Sequence, residues 1–394
     1  MLDSQTISLV KSTVPLLENA GTDITNYFYN RMFTARPELK NIFNMSNQIS
    51  GAQQFALFAA VAAYAKHIDN LSELSTLIDR VAHKHASMYI KPEHYPIVGE
   101  HLIASLKELV PEDFTPEVEA AWIVAYKFLA DVLINREEEI YSDNDTKEGG
   151  WRGERQFIIS SICDESELVK TITLVPEDGK SVATYQPGQF IGIKVHPGHC
   201  EYEEIRQYSL SDRPTRDSYR ISVKKEAIPK PGLVSNFFHD EAKIGDKVAV
   251  YAPTGNFVLI NDDKPIVLIS AGVGITPMMS ILEHLNSQSM ANKCIFLHAC
   301  ENQDQHSFKG RIDQIKSEYP SLDTKTWYRH VTDGESFGGL MDLTKIESDL
   351  PIETGRFYVC GPTAFMSYIR GQLLGLGVSA SQMVYEVFGP HKDL

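Results

Sequence analysis

A histidine on the apolar side of a helical pattern is the first residue here that could do chemistry. Leu74, Ile78, Val81, His85 and Met88 recur at spacings of 4, 3, 4 and 3, which is one stripe of a helix. His83 falls about 200° away round the axis, near the polar Asp79 and Arg80. An inward imidazole is either a core residue satisfied by one hydrogen bond or an axial ligand to a haem iron. Upstream, Phe43 sits in the irregular stretch NIFNMSNQ, and a helix follows with Gln53, Leu57, Val61 and Tyr64 on one face. Tyr29 stands beside Met32 and Phe33 on an earlier helix. A tyrosine hydroxyl and a glutamine amide can both donate hydrogen bonds to a small polar ligand. Far downstream, Gly272-Val273-Gly274-Ile275-Thr276-Pro277 follows an apolar run. Its glycines allow close backbone approach, Thr276 can cap, and Pro277 suits a first helical turn. A pyrophosphate is the ligand expected at such a helix N-terminus.

The elements that must hold these residues change style twice along the chain. Up to about residue 140 the periodicity is helical. Tyr141–Trp151 is polar, acidic and Gly-Gly-containing, a linker pattern. After it come period-two strands, GQFIGIKV (188–195), Tyr219-Ile221-Val223 and DKVAVYAP (246–253), the mark of a small antiparallel barrel or sandwich. From about 264, PIVLIS, CIFLHAC and RFYVCG are buried-strand runs with helical stretches such as MMSILEHL between them, a βαβ series and hence a parallel sheet. The expected units are 1–140 all-α, 141–151 linker, 152–260 all-β and 264–394 α/β.

Composition limits the partners. Hydrophobic residues make up 43% and charged residues 23%, which excludes a disordered or fibrous chain. A net charge of −15 repels phosphate backbones and anionic lipid, so no nucleic-acid or membrane-surface role is expected. The longest apolar run, FALFAAVAAYA, is far short of the ~20 residues that span a bilayer. MLDSQ carries no secretory signal pattern, and five scattered cysteines form neither a disulfide framework nor a Cys-type zinc site. The expectation is a protein of the reducing cytoplasm, acting as a monomer.

With the inward His85, Phe43 on the preceding turn and the polar Gln53, the chain resembles the flavohemoglobins over essentially its whole length. The stretches NIFNMSNQ, HKHASMYIKPEHYPIVGEHL and INREEEIY carry the likeness in the first third. Arg206-Gln207-Tyr208-Ser209 resembles the RxYS motif of ferredoxin-reductase flavoproteins, and Gly272-x-Gly274-x-x-Pro277 resembles their second motif. The ordinary Rossmann fingerprint G-x-G-x-x-G is absent there. The resemblance implies a globin domain, an antiparallel FAD barrel and an α/β NAD(P) domain. It makes His85 the proximal ligand of haem b, with Tyr95 and Glu137 behind it. Tyr29, Gln53 and Leu57 become the distal pocket, with Phe43 against the haem. For FAD it implies Phe190, Arg206, Gln207, Tyr208 and Ser209. The turn Gly232, Val234 and Ser235 would take the pyrophosphate, and the closing strand Glu386-Val387-Phe388-Gly389-Pro390 would lie by the ring. Val387 stands where the family often has cysteine. For the dinucleotide it implies Gly272 to Pro277 and the loop Cys360-Gly361-Pro362.

The implied activity is nitric oxide dioxygenation. Electrons pass from NAD(P)H to FAD to haem, and NO and O₂ become nitrate. Glu301, directly after CIFLHAC and with no arginine close behind it, suits a ribose 2′-hydroxyl, so NADH is the expected donor. Two other roles fit the same residues. One is an oxygen store or gas sensor whose reductase keeps iron ferrous; the other is a flavin or ferric reductase.

Overall fold

The computed structural model describes residues 2–19, 21–43, 52–228, 230–288, 292–331 and 336–389. Two compact units emerge: Met1–Glu154 with Lys194–Arg206, and Arg155–Ile193 with Gln207–Leu394.

The first unit is helical. Its helices are α1 (Ser4–Ser12), α2 (Val14–Asn19), α3 (Gly21–Ala35), α4 (Ala52–Lys66), α5 (Ser75–Ala86), α6 (His94–Leu109) and α7 (Pro116–Thr146). Local chemistry sets the ends. The Asp3 carboxylate accepts from the Thr6 amide at 2.8 Å to start α1, and Thr115 followed by Pro116 starts α7. The core gathers Val10, Phe28, Met32, Tyr64, Leu106 and Trp122, all at most 1% exposed. α7 runs six residues into the stretch expected to be linker. The reason is a narrow buried stripe, Ile140, Tyr141 and Asn144. The Tyr141 hydroxyl donates to the Ile90 carbonyl at 2.7 Å. A polar, acidic surface hides that stripe from a composition reading.

The second architecture is a six-stranded sheet. It comprises β1 (Glu154–Asp164), β2 (Val169–Pro176), β3 (Phe190–Val195), β4 (Glu204–Ser209), β5 (Tyr219–Lys224) and β6 (Lys247–Thr254), in spatial order β4-β3-β6-β1-β2-β5. β2 pairs antiparallel with β1 and β5. An antiparallel bridge between Leu210, just past one edge strand, and Ile221 in the other joins the two ends of the sheet, which is how an antiparallel sheet closes into a barrel.

The third is a sheet of β7 (Ile266–Ala271), β8 (Cys294–Cys300), β9 (Leu322–Tyr328), β10 (Phe337–Gly338), β11 (Arg356–Cys360) and β12 (Met383–Glu386), in order β10-β9-β8-β7-β11-β12. All its pairings are parallel. Alternate residues of β7 face two cores. Ile266 and Leu268 join Met278, Ile281 and Leu282 of helix Ile275–Ser287. Val267 and Ile269 join Met366, Ile369 and Leu373 of helix Thr363–Gly375. Burial on both faces explains the unbroken apolar run. Within the second unit, polar and aromatic contacts join barrel residues to this lobe. The Phe308 amide donates to Glu165 at 2.7 Å, Ser166 and Ser307 hydroxyls meet at 2.9 Å, and the Phe257 and Tyr358 rings stand edge to face at 5.7 Å. Among the described residues no helix is long and apolar enough to cross a membrane.

Candidate functional site

His85 is the last residue but one of α5, which a 3₁₀ turn, Leu71–Leu74, precedes. Its Nδ1 is 2.7 Å from a carboxylate oxygen of Glu137, on α7. The Tyr95 hydroxyl, from α6, lies 3.0 Å from the same nitrogen and donates to the same Glu137 oxygen. Glu137 is 2% exposed and Tyr95 7%. Burial and the adjoining carboxylate push the Tyr95 phenol far above its ordinary range, so it stays a donor. An ionised carboxylate only accepts, and the proton between it and the imidazole therefore sits on Nδ1. That fixes the tautomer whose Nε2 lone pair faces outward for a metal. Of the other members of the His85 stripe, Leu74, in the 3₁₀ turn, is buried, whereas Ile78, Val81 and Met88 are only half-buried, while Ala82 and Ala86 are covered. An apolar wall with one imidazole in it is the donor set a porphyrin iron asks for.

The opposite residues gather around an aromatic cluster. Tyr29, on α3, is 5% exposed. Its ring is stacked on Phe33 at 5.8 Å and stands edge-on to Phe43 at 6.0 Å. Leu57, on α4, is half-buried and packs against the same core. Ile42 and Ile78 touch both this cluster and the one around Tyr95, so the two walls adjoin. Gln53 falls in the first turn of α4; its side chain lies outside the described residues.

On β4, the side-chain contacts of Arg206 among the described residues fall on one nitrogen, Nη1, which meets the Ile205 carbonyl and the Glu204 carboxylate, each at 2.8 Å. Nε and Nη2 are left as a donor pair, the fork that suits a pyrophosphate. Gln207 and Tyr208 are half-buried and Ser209 is buried on the same strand. The Tyr208 ring stands edge-on to Phe238 at 5.8 Å. Phe190 opens β3 half-buried and presses on Gly255, where any Cβ would come within 2.9 Å of its ring. The turn Gly232–Ser235 starts a helix of four α-helical residues, Leu233–Asn236, that loosens into a π turn. Val234 and Ser235 are buried, and the Ser235 hydroxyl donates back to the Gly232 carbonyl at 3.3 Å.

The dinucleotide motifs meet where the parallel sheet changes direction. β7 is flanked by β8 and β11, so the crevice at the C-terminal ends of β7 and β11 is the switch point at which such sheets bind ligands. Gly272 begins the turn after β7 with φ +52°, in the left-handed region. Val273 is half-buried and Gly274 buried; a Cβ on Gly274 would lie 2.4 Å from the Cys360 carbonyl oxygen and 2.7 Å from the Gly361 Cα. The two loops thus touch backbone to backbone. Helix Ile275–Ser287 starts without a side-chain cap. Thr276, expected to cap it, instead donates its hydroxyl to the Val273 carbonyl at 3.0 Å, so its side chain does not cover the helix start, where the Ile275 amide donates back to the Gly272 carbonyl. Pro277 is buried in that first turn. Cys360 is fully buried at the end of β11, in register with Glu386 on β12; burial and the Glu386 charge push its thiol well up. Pro362 is exposed and opens the next helix. The closing strand is shorter than the YEVFGP reading, ending at Glu386. Val387 is buried beyond it, Phe388 is 45% exposed, and Gly389 turns at φ +124°. Positive φ ends a strand there. Pro390 lies outside the described residues.

One partner escaped the sequence reading. Arg329, just past β9, places its Nε 3.0 Å from both carboxylate oxygens of Glu301. Twenty-eight residues separate the two, and only the parallel pairing of β8 and β9 brings them together.

Three segments match known families: residues 26–133 the globins, 157–259 the oxidoreductase FAD-binding domain, and 268–371 the oxidoreductase NAD-binding domain. Over 396 residues, all of both chains, the sequence is 48% identical to a flavohemoprotein of Vibrio cholerae serotype O1. The chain belongs to the flavohemoprotein family. A second flavohemoprotein, from Rhizobium meliloti, is 43% identical over 99% of each chain. The crystal structure of a Malassezia yamatoensis flavohemoglobin with bound FAD and haem superposes with a TM-score of 0.89 at 25% identity, over 98% of this chain and 100% of that one. As a flavohemoprotein the chain is an oxidoreductase whose cofactors are haem, FAD and a nicotinamide dinucleotide.

Proposed function

We propose that this flavohemoprotein is an NADH-fed nitric oxide dioxygenase. Residues 1–140 take haem, 152–260 FAD and 264–394 the dinucleotide. The observation that carries the reading is the buried Tyr95–Glu137–His85 chain of hydrogen bonds, found in a chain that aligns end to end with flavohemoproteins. A bare oxygen store needs no such anchored, electron-rich imidazole, whereas repeated redox turnover does. When bound, haem supplies the iron at which NO and O₂ combine to nitrate, and FAD divides a hydride's electron pair into single electrons.

This chain's own residues do the rest. Glu137 and Tyr95 hold the His85 proton on Nδ1 and aim Nε2. The Tyr29 hydroxyl and Gln53 amide orient dioxygen by hydrogen bonds, Leu57 narrows the space beside it, and Phe43 packs on the haem. The free fork of Arg206 takes the flavin pyrophosphate with the backbone of Gly232, Val234 and Ser235. Gln207, Tyr208, Ser209, Phe190 and Phe388 line the flavin. The backbone of the turn from Gly272 through Val273, Gly274, Ile275 and Thr276, closed by Pro277, which has no N–H of its own, receives the dinucleotide phosphates. Cys360, Gly361, Pro362, Glu386 and the closing residues Val387 and Gly389 border the place where hydride moves. Each NADH oxidised to NAD⁺ and a proton supplies the two electrons with which two NO and two O₂ become two nitrates. The enzyme acts as a cytoplasmic monomer.

The test is NADH oxidation in air with NO supplied. His85→Ala abolishes the NO-dependent part and leaves reduction of an artificial acceptor such as ferricyanide intact. Unchanged NO-dependent turnover would make the globin part idle and the protein a plain flavin reductase. Slow, NO-insensitive NADH use in the unmodified enzyme would make it a store or sensor.

A further inference from the structure

Glu301 and Arg329 are the first residues beyond the C-terminal ends of β8 and β9. The Arg329 amide donates to the Cys300 carbonyl at 3.0 Å, and the next amide, His330, donates to the Glu301 carbonyl at 2.9 Å. The ladder therefore continues past both strands and fixes the two side chains next to one another. They stand at the same edge of the sheet as the Gly272 turn, since Ala271 of β7 is in register with Ala299 of β8. In a dinucleotide lobe, the residue at the end of the second strand meets the adenosine ribose at its 2′ position.

An acidic group alone at that place accepts from a 2′-hydroxyl and repels a 2′-phosphate. Here it is not alone. The carboxylate and the guanidinium make a locally neutral pair. Glu301 engages only Nε, so among the described residues both Nη groups of Arg329 are unused donors. Both side chains are about half-exposed, 54% and 52%. An ion pair this open holds its partners weakly, so a dianionic phosphate can recruit the guanidinium from the carboxylate, and with bidentate geometry.

We infer that Arg329 is a specificity-determining residue, a receptor for the 2′-phosphate of NADPH that Glu301 holds in reserve. With NADH, Glu301 takes the ribose hydroxyl and keeps Arg329 beside it. With NADPH, Arg329 leaves Glu301 for the phosphate. The enzyme thereby favours NADH and retains NADPH as a second donor. This rests on the proposal that the lobe takes NADH in the ordinary orientation.

The assay is ferricyanide reduction by the FAD-loaded full chain, with kcat/KM measured for NADPH and NADH. Glu301→Gln raises the NADPH-to-NADH ratio about tenfold, and Arg329→Gln lowers it about tenfold, as expected for gain or loss of one charge-assisted contact. Arg329→Lys falls between. In the double variant the gain from Glu301→Gln disappears. Competitive inhibition by 2′-AMP against NADH follows the same order, about tenfold tighter in Glu301→Gln and back to the starting value in the double variant, while 5′-AMP, which keeps the 2′-hydroxyl, gains nothing in Glu301→Gln. Ratios within twofold of the unmodified enzyme in both single variants, with NADH oxidised normally, overturn the inference and leave the dinucleotide reading standing. Failure of the unmodified enzyme to reduce ferricyanide with either donor overturns both.

Discussion

Glutamine at position 137 keeps the shape of the glutamate and removes its charge. In the folded chain Glu137 is 2% exposed, so no water can take over its contacts. One oxygen accepts from both the Tyr95 hydroxyl and His85 Nδ1. Hydrogen bonds to a charged acceptor contribute about 1.5–3 kcal/mol, and neutral ones about 0.5–1.5. Losing the charge thus weakens each bond by about 1–1.5 kcal/mol, and the pair by about 2–3. At 1.4 kcal/mol per tenfold this is roughly a 30- to 150-fold effect, overlapping the ~10–100-fold usual for the partner of a metal-bound histidine. It is read in two ways: haem retention, as the Soret absorbance left after competition with an apoglobin, and NO-dependent NADH oxidation. Ferricyanide reduction, which needs only the flavin and dinucleotide sites, serves as the internal control and stays constant. Tyr95→Phe removes both contacts of its hydroxyl but keeps the charged bond between Glu137 and His85, and lies part-way. If Glu137→Gln holds haem and turns over NO within threefold of the unmodified enzyme, the carboxylate does not set the character of His85 and the argument from the buried chain fails.

Other perturbations have equally definite outcomes. Tyr29→Phe speeds dioxygen loss roughly 5- to 30-fold, the loss of about 1–2 kcal/mol from one hydrogen bond, measured by stopped-flow; an unchanged off-rate removes Tyr29 from the pocket. Gly274→Ala forces the Cys360 carbonyl aside at about 1–3 kcal/mol, so hydride transfer to FAD slows while haem and flavin spectra remain; normal single-turnover reduction by NADH would contradict the contact. Glu283 is 5% exposed and is gripped by Arg311 through two bonds of 2.8 and 2.7 Å, so Glu283→Gln lowers the melting temperature, with about 3 kcal/mol lost if the pair behaves as a buried one; a shift under 1 °C refutes that. Burial pulls His306 down to about 4 and His298, stacked on it at 4.9 Å, moves the same way. An unfolded histidine titrates near 6.5, so between those values the unfolded chain binds more protons. Stability is therefore full above about pH 6.5 and falls on acidification by up to about 1.4 kcal/mol per unit per histidine. His306→Gln flattens the Tm–pH curve, and an equally steep curve in that variant would assign the acid lability elsewhere.

The chain was readable wherever one physical signal dominated. The His85 stripe, the buried runs of β7, β8 and β11, and the alternation of β5 are patterns set by burial on one or two faces, and each lies where the periodicity places it. What escaped depended on pairing or on competition between local bonds. Nothing near Glu301 in sequence announces Arg329, because the register of two parallel strands decides that neighbour. The Thr276 hydroxyl bonds the Val273 carbonyl of the 3₁₀ turn Gly272–Gly274, a turn that the motif does not announce. The helical reach to Thr146 rests on three buried side chains under a charged surface. The early end of β12 at Glu386 reflects the left-handed Gly389 two residues after the buried Val387.

The contact between Gly274 and Cys360 ties together stretches of chain 86 residues apart. Recombination within the nucleotide lobe is constrained accordingly. A hybrid that imports the first half of the lobe from a distant reductase inherits whatever residue that donor has at this position, and a single added methyl suffices to hold the halves ajar. Breeding new electron donors for this chain by shuffling therefore has to move both loops as one cassette, or cut outside them altogether.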